Sequence, residues 1–108
     1  MQVLSGFKFF DKETTPISSN ILYNTNGSLL VLQVSGDANS FSFSIYGKVN
    51  AEADEYVRLQ AINIEDFSLT NSISTNGIYN VSIDGISSLY IELESVDDEI
   101  TVYGKVGA

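Results

Sequence analysis

Hydrophobic and polar residues alternate along much of this chain with a period of two, which is typical of β-strands. Phe41, Phe43 and Ile45 alternate with Ser40, Ser42 and Ser44, and this predicts a strand with one dry and one wet face. The same alternation recurs in residues 79–83 and 89–93. Residues 29–34 are apolar on nearly both faces, so we predict that this strand is central.

The remaining segments extend the same interpretation. Residues 56–61 and 100–103 predict two further strands, and the Asn-Gly and Asp-Gly pairs at 26–27, 76–77 and 84–85 predict turns. No long window has helical periodicity, and residues 50–55 are expected to form at most one turn. We therefore predict an all-β fold of seven or eight short strands, an antiparallel two-sheet β-sandwich of jelly-roll type, with a closed barrel as the alternative.

The tetrapeptide Tyr-Gly-Lys-Val occurs at residues 46–49 and again at 103–106, each time downstream of a Thr-Asn-Gly turn. The spacing from turn to tetrapeptide differs between the copies, so either an edited duplication or a recurrence by composition explains them. We expect each tyrosine to end a strand and each glycine to permit a close backbone approach or a bulge. The repeat is therefore interpreted as architecture.

Composition removes several classes of function. The 108-residue chain is the size of one domain, predicted to span residues 1–108 with residues 1–20 as a candidate docking segment. It has no cysteine and no histidine, so the commonest nucleophile–base pairs and transition-metal ligands are missing. We predict no enzymatic activity and no cofactor.

Charge and hydropathy bear on location and partners. A formal charge of −9 would repel a phosphate backbone, so nucleic acid is not an expected partner. The sequence has neither a recognisable export signal nor an apolar run of the ~20 residues that a membrane span needs. We expect synthesis in the cytoplasm and no membrane contact.

Carboxylates are the remaining candidates for metal binding and for acid–base catalysis. Residues 97–99, together with Asp37 or residues 54–55, could supply oxygen ligands for calcium, but their spacing matches no known calcium loop. Glu92 and Glu94 share a face of one strand, which is expected to be exposed and unsuited to glycoside hydrolysis. We therefore predict no metal site and no catalytic pair.

Two sets of residues are candidates for binding. The first is a set of candidate interface residues, made of three N-terminal phenylalanines and two of the five cations: Phe7, Phe9, Phe10, Lys48 and Lys105. The phenylalanines form either a core strand or an arm that docks on a neighbour by strand addition. The second is a sugar-stacking pair, Tyr56 and Tyr90, because aromatic faces stack on sugar rings.

Residues 76–86, continuing through 89–93 to 102–104, resemble the strand–turn pattern of virion accessory proteins from tailed bacteriophages of Gram-positive hosts. The resemblance covers roughly the C-terminal third of the chain and consists mostly of strand pattern. It implies a capsid decoration protein, or a baseplate or fibre component, at the virion surface. Its expected partners are the major capsid protein or baseplate proteins and further copies of itself. The alternative function is a carbohydrate-binding or receptor-binding module of a phage tail.

Overall fold

The computed structural model describes residues 6–107, which form two antiparallel β-sheets packed face to face. The predicted two-sheet β-sandwich is therefore confirmed. In chain order the strands are β1 (Phe7–Glu13), β2 (Ile17–Ser18), β3 (Leu22–Tyr23), β4 (Leu29–Ser35), β5 (Phe41–Lys48), β6 (Val57–Leu59), β7 (Ala61–Asn63), β8 (Leu69–Thr70), β9 (Gly77–Ser82), β10 (Ser88–Val96) and β11 (Ile100–Gly107).

The six-stranded sheet has the order β1-β11-β4-β9-β7-β8. The five-stranded sheet has the order β2-β10-β5-β6, and β3 also pairs with β10. β4 lies in the middle of its sheet, as its two-sided apolar pattern predicts. The first five residues of the predicted docking segment 1–20 lie outside the described residues, and the rest of it supplies β1 and β2.

The core follows from the alternation. Inward positions of the long strands are aliphatic or aromatic and almost fully buried, among them Leu32, Phe43, Val81, Ile91 and Val102. Burying one such side chain contributes about 1.5–3 kcal/mol, so the two facing sheets are held together mainly by this layer. The hydroxyl of Tyr79, buried in the same layer, donates a 2.9 Å hydrogen bond to the Thr75 carbonyl.

The predicted strand at residues 56–61 is wrong as a single element. β6 and β7 are separated only by Gln60, yet β6 pairs with β5 in one sheet and β7 pairs with β9 in the other. The chain therefore crosses between sheets within this segment. The alternation of apolar and polar residues continues through this segment without a break, because both short strands contribute residues to the same core. The sequence pattern therefore cannot reveal the crossing.

Three further details differ from the predictions. The structure has eleven strands, because β2, β3 and β8 contain two residues each and are too short to show a period. Ser44, expected on a wet face, is 1% exposed because its hydroxyl donates a 2.8 Å hydrogen bond to Glu94, which covers it. Neither repeated tyrosine ends a strand, since β5 continues to Lys48 and β11 to Gly107.

The two Tyr-Gly-Lys-Val copies lie in different sheets, and each glycine makes room for neighbouring side chains rather than for a closely approaching backbone. A Cβ on Gly47 would lie 3.0 Å from a Leu59 methyl group. A Cβ on Gly104 would lie 2.7 Å from the Phe9 ring and 2.9 Å from the Phe7 ring. A larger residue at either position would displace packed neighbours.

Candidate interaction surfaces

A tyrosine cluster, which we define as Tyr46, Tyr56 and Tyr90, lies on the outer face of the five-stranded sheet. Tyr46 on β5 is directly opposite Tyr90 on β10, and their rings stack with centroids 5.3 Å apart. Tyr56, just before β6, approaches Tyr90 edge-on at 4.9 Å. The structure thus brings together both predicted sugar-stacking residues and adds a third ring.

Two cations are packed against this cluster. Lys48 Nζ lies 4.7 Å from the centroid of the Tyr56 ring and donates a 3.2 Å hydrogen bond to the Ala53 carbonyl. Arg58 lies 5.6 Å from the Tyr46 ring centroid and donates a 3.0 Å hydrogen bond to the Tyr46 hydroxyl. Cation–π contacts of this kind are worth roughly 0.5–1 kcal/mol at exposed sites.

The electrostatics of the cluster follow from the same contacts. The hydrogen bond from the guanidinium to Tyr46 raises the pKa of Arg58, and Glu94, 3.6 Å away, adds a smaller attraction. Burial raises the pKa of the Tyr90 hydroxyl, helped by the negative charge of Glu92. Tyr90 therefore stays neutral and Arg58 stays charged at physiological pH.

This arrangement bears on two predicted sites. Each tyrosine ring already has a protein group against it, so a sugar ring stacking here would compete with Lys48, Arg58 or a neighbouring ring. The ammonium group of Lys48 is directed towards Tyr56 and the carbonyls of the following turn. A partner that binds Lys48 would have to compete with these intramolecular contacts.

The N-terminal phenylalanines occupy two different environments. Phe10 is 4% exposed and belongs to the core, so its ring is removed from the predicted interface set. Phe7 and Phe9 are half-buried, pack edge to face at 5.0 Å, and cover Gly104 of β11. Period-two alternation places Phe7 and Phe9 on one face, and a β-bulge between Lys8 and Phe10 brings Phe10 to the core side as well, which alternation alone would not predict.

The second surface is the outer face of the six-stranded sheet, which we call the outer face. Its two longest cross-strand rows follow from the strand register. One row consists of Lys8, Tyr103, Gln33 and Ile78. The other consists of Lys105, Val31, Asn80, Ile62 and Leu69.

The outer face has uncharged side chains at its centre, where Val31 and Ile78 lie beside Gln33 and Asn80, and it is basic at one end. Ile62, Ile78 and Tyr103 are 38%, 39% and 42% exposed, and Lys105 and Lys8 are its charged residues. Lys8 lies 5.5 Å from the Tyr103 ring centroid and pairs at the rim with Asp11. The two rows contain no carboxylate, although the chain has fourteen acidic residues.

Of the predicted interface residues, only Lys105 lies within this face. The sequence contained a signal for the rest, because residues 29–34 are apolar on both faces. We used that signal to predict a central strand, which is correct, and the structure leaves one of its two faces exposed to solvent.

The acidic residues form no candidate metal site: across residues 6–107, no three acidic side chains come close enough to share an ion. Asp97 Oδ1 instead accepts hydrogen bonds from the backbone N–H groups of Asn39 and Ser40, at 3.0 and 3.1 Å. Its carboxylate therefore ties two loops together. The same stretch of chain has no helix long and apolar enough to cross a membrane.

Comparison with known proteins identifies two similar solved structures. The SPBc2 prophage-derived protein YomS matches with a TM-score of 0.86 and 26% identity, over 96% of this chain and 92% of that chain. The PBSX exported protein XepA matches with a TM-score of 0.87 and 16% identity, over 96% of this chain. The match spans 37% of the length of XepA, so XepA shows the fold of one part of a longer protein.

No protein-family model matches the chain, and no curated protein sequence is significantly similar to it. The similarity to YomS supports the expectation that this is a phage-related protein of Gram-positive hosts, and the similarity to XepA supports the fold. They leave its role within the phage to be argued from its surfaces.

Proposed function

We propose that the chain is a non-enzymatic structural protein of the phage particle, and more specifically a decoration protein that binds the assembled capsid in many copies. It is made in the host cytoplasm and ends on the virion surface, with the major capsid protein as its partner. A baseplate component is the related alternative. The observation that carries the proposal is the outer face, whose two long rows have exposed apolar side chains, two lysines and no carboxylate on an otherwise acidic protein.

Contiguous exposed apolar surface on a soluble protein commonly marks a protein–protein contact. Here the exposed apolar side chains lie on regular, paired strands, so this surface is rigid before binding and loses little conformational entropy on docking. Lys105 and Lys8 at one end fix the orientation by requiring carboxylates on the partner. The remaining acidic surface keeps the protein soluble until it meets the shell.

Binding in many copies strengthens the attachment of the protein to the shell. A single contact of this size is weak, but a shell presents the same site repeatedly, and a copy that bridges neighbouring subunits gains effective concentration for its second contact. A ligand that binds the assembled state and not the dissociated one stabilises that state by mass action. The expected mechanism is therefore non-covalent reinforcement of the shell.

The test is addition of the purified protein to particles of its own phage from which accessory proteins have been stripped. We expect binding in a fixed ratio to the major capsid protein and a raised melting temperature of the shell. Lys105→Glu should lower the affinity about tenfold, as expected when one charge pair becomes a repulsion. Ile78→Thr should weaken binding as well.

Matched controls are available. Lys12→Glu reverses an exposed lysine outside the two rows, and Val49→Thr replaces a methyl group with a hydroxyl on an apolar side chain that is 69% exposed in the loop after β5. Both controls should bind as the wild type does. Failure of the wild type to bind stripped shells, or equal loss in variants and controls, would contradict the proposal.

The tyrosine cluster favours a second candidate, recognition of a host cell-wall polysaccharide by a tail or baseplate module. Three rings converge within one surface region beside Glu92 and Glu94, which provides both stacking groups and hydrogen-bond acceptors. Titration with the wall polysaccharide distinguishes this function from the first. Saturable binding that is lost in Tyr90→Ala or Tyr56→Ala would support recognition of sugar and would contradict a purely structural role.

A further inference from the structure

Phe67 lies at the tip of the β7–β8 hairpin in an unusual conformation. Its ring is 79% exposed, and its φ of +60° puts a bulky side chain in the left-handed region that favours glycine. Strained backbone at a bulky residue is retained where the surrounding structure enforces it, and such positions concentrate at binding sites. Here an exposed hydrophobic ring and a strained backbone coincide at one residue.

The hairpin enforces this conformation through its own hydrogen bonds. The N–H of Phe67 donates to the Asn63 carbonyl at 2.7 Å, and the N–H of Asn63 donates to the Ser68 carbonyl at 2.9 Å. Asp66 Oδ1 accepts from both the N–H and the hydroxyl of Ser68, at 3.0 and 2.7 Å. The tip is therefore rigid, and the ring is presented to solvent in a fixed position.

A cleft that fits such a ring lies at the opposite edge of the sandwich, where β1 of one sheet faces β3 of the other. It encloses about 100 Å³. Apolar cavities of about 150 Å³ are known to hold a whole benzene ring, so this cleft takes most of one phenyl group. It is lined by Phe7, Lys8, Phe9, Asn20, Ile21 and Leu22.

The charges of the two regions are complementary. The hairpin tip, residues 64–68, has two carboxylates, Glu65 and Asp66, and no cation. The cleft lining has one cation, Lys8, and no carboxylate. Lys8 pairs with Asp11 at 3.6 Å, but both side chains are about half exposed, so this pair contributes little and leaves Lys8 available to a second partner.

We propose that Phe67 of one copy inserts into the β1–β3 cleft of a second copy of this chain, with Glu65 placed next to Lys8. Because donor and acceptor lie at opposite lateral edges, one copy can use both at once, and the contact is head-to-tail. Association then continues beyond a dimer until the copies close a ring or extend as a filament. This contact shares Lys8 with the outer face, but it is measured on the chain alone, so its failure is distinguishable from a failure to bind a shell.

Four variants of the full chain test the contact. Phe67→Asp removes the donor, Ile21→Asp removes the acceptor, and Val49→Asp is the matched control at an exposed apolar position elsewhere. Phe67→Gly also removes the ring but relieves the left-handed strain, so it should melt at a higher temperature than the wild type while losing association. Circular dichroism confirms that each variant folds.

Sedimentation velocity over a concentration series gives the result. The wild type and Val49→Asp should form species larger than a dimer, whereas each donor or acceptor variant should associate at least about tenfold more weakly, as expected for loss of an aromatic anchor. A mixture of Phe67→Asp and Ile21→Asp should form a one-to-one dimer and nothing larger, because each variant retains the half that the other lacks.

Several results would overturn the proposal. A wild type that stays monomeric at high concentration excludes the contact, and equal association of Phe67→Gly and wild type shows that another surface is used. A mixture that fails to form the dimer indicates a symmetric interface. Sedimentation of a monomeric wild type with phosphatidylcholine vesicles, lost in Phe67→Gly, would assign the ring to a lipid surface instead.

Discussion

Asn24 is the residue whose replacement most directly tests how the turns of this sandwich are held. Its Nδ2 donates to the carbonyls of Gly27, Ile83 and Ile86 at 3.0, 3.3 and 2.9 Å. Its Oδ1 accepts from the N–H of Gly27 at 2.9 Å. One half-buried side chain therefore joins the turn before β4 to the loop between β9 and β10.

The cost of Asn24→Ala follows from these contacts. The amide group has two hydrogens, so at most two of its three donor contacts are at full strength, and the acceptor contact makes a third bond. At about 1 kcal/mol each, and with some desolvated carbonyls left without a donor, the loss is about 2–4 kcal/mol of unfolding free energy. In a domain of this size that corresponds to a fall in melting temperature of roughly 10 °C.

The assay is urea denaturation followed by far-UV circular dichroism, where a lower midpoint at unchanged slope reports lost stability. Asn71→Ala is the control, because Asn71 is exposed and its side chain makes no hydrogen bond with the described residues. Asn24→Asp keeps the acceptor but places a carboxylate against carbonyl oxygens, so it should be at least as destabilised at neutral pH and partly recover in acid. A loss below about 1 kcal/mol, or one equal to that of the control, would refute this account of the turn.

Three further outcomes are expected. Tyr79→Phe should lose about 1 kcal/mol in the same denaturation assay, because the buried Tyr79 hydroxyl no longer bonds to the carbonyl of the exposed Thr75; an unchanged midpoint would contradict this. Gly36→Ala should lose about 2–4 kcal/mol, since its φ is +133° and a Cβ would collide with the Glu99 carbonyl oxygen; thermal melting at or above the wild-type temperature would show the reasoning to be wrong. Hydrogen bonds from Ser68 lower the pKa of Asp66, so NMR titration should place this pKa below 3.8. The ionised carboxylate then stabilises the folded protein at higher pH, and this stabilisation is lost as the pH falls through the lowered pKa. A normal pKa for Asp66 would contradict the hairpin geometry.

The fold was predictable where strands are long enough to show a period. The alternation of apolar and polar residues was enough to identify the inward-facing side chains of β5 and β10, at Phe41–Ile45 and Leu89–Leu93. The two-residue strands carry no such signal, and the crossing at Gln60 was invisible because Leu59 and Ala61 both look like core residues of one strand.

The surfaces were less predictable, because they depend on which strands become neighbours. The stacking of Tyr46 on Tyr90 requires the β5–β10 register, which local sequence does not contain. Phe67 was missed for another reason: a single phenylalanine between acidic and serine residues is a common loop pattern, and its strain appears only in the backbone angle. Sequence did single out Lys105, although its place on the outer face required the structure.

The proposed role as a decoration protein is tested most directly by quantitative mass spectrometry of purified, intact particles of the phage that encodes this chain. The account predicts that the chain copurifies with the particles at a fixed ratio to the major capsid protein, and that this ratio falls when Lys105 is replaced by glutamate. A chain that is absent from purified particles, and is recovered only in the free fraction of the lysate, would contradict it.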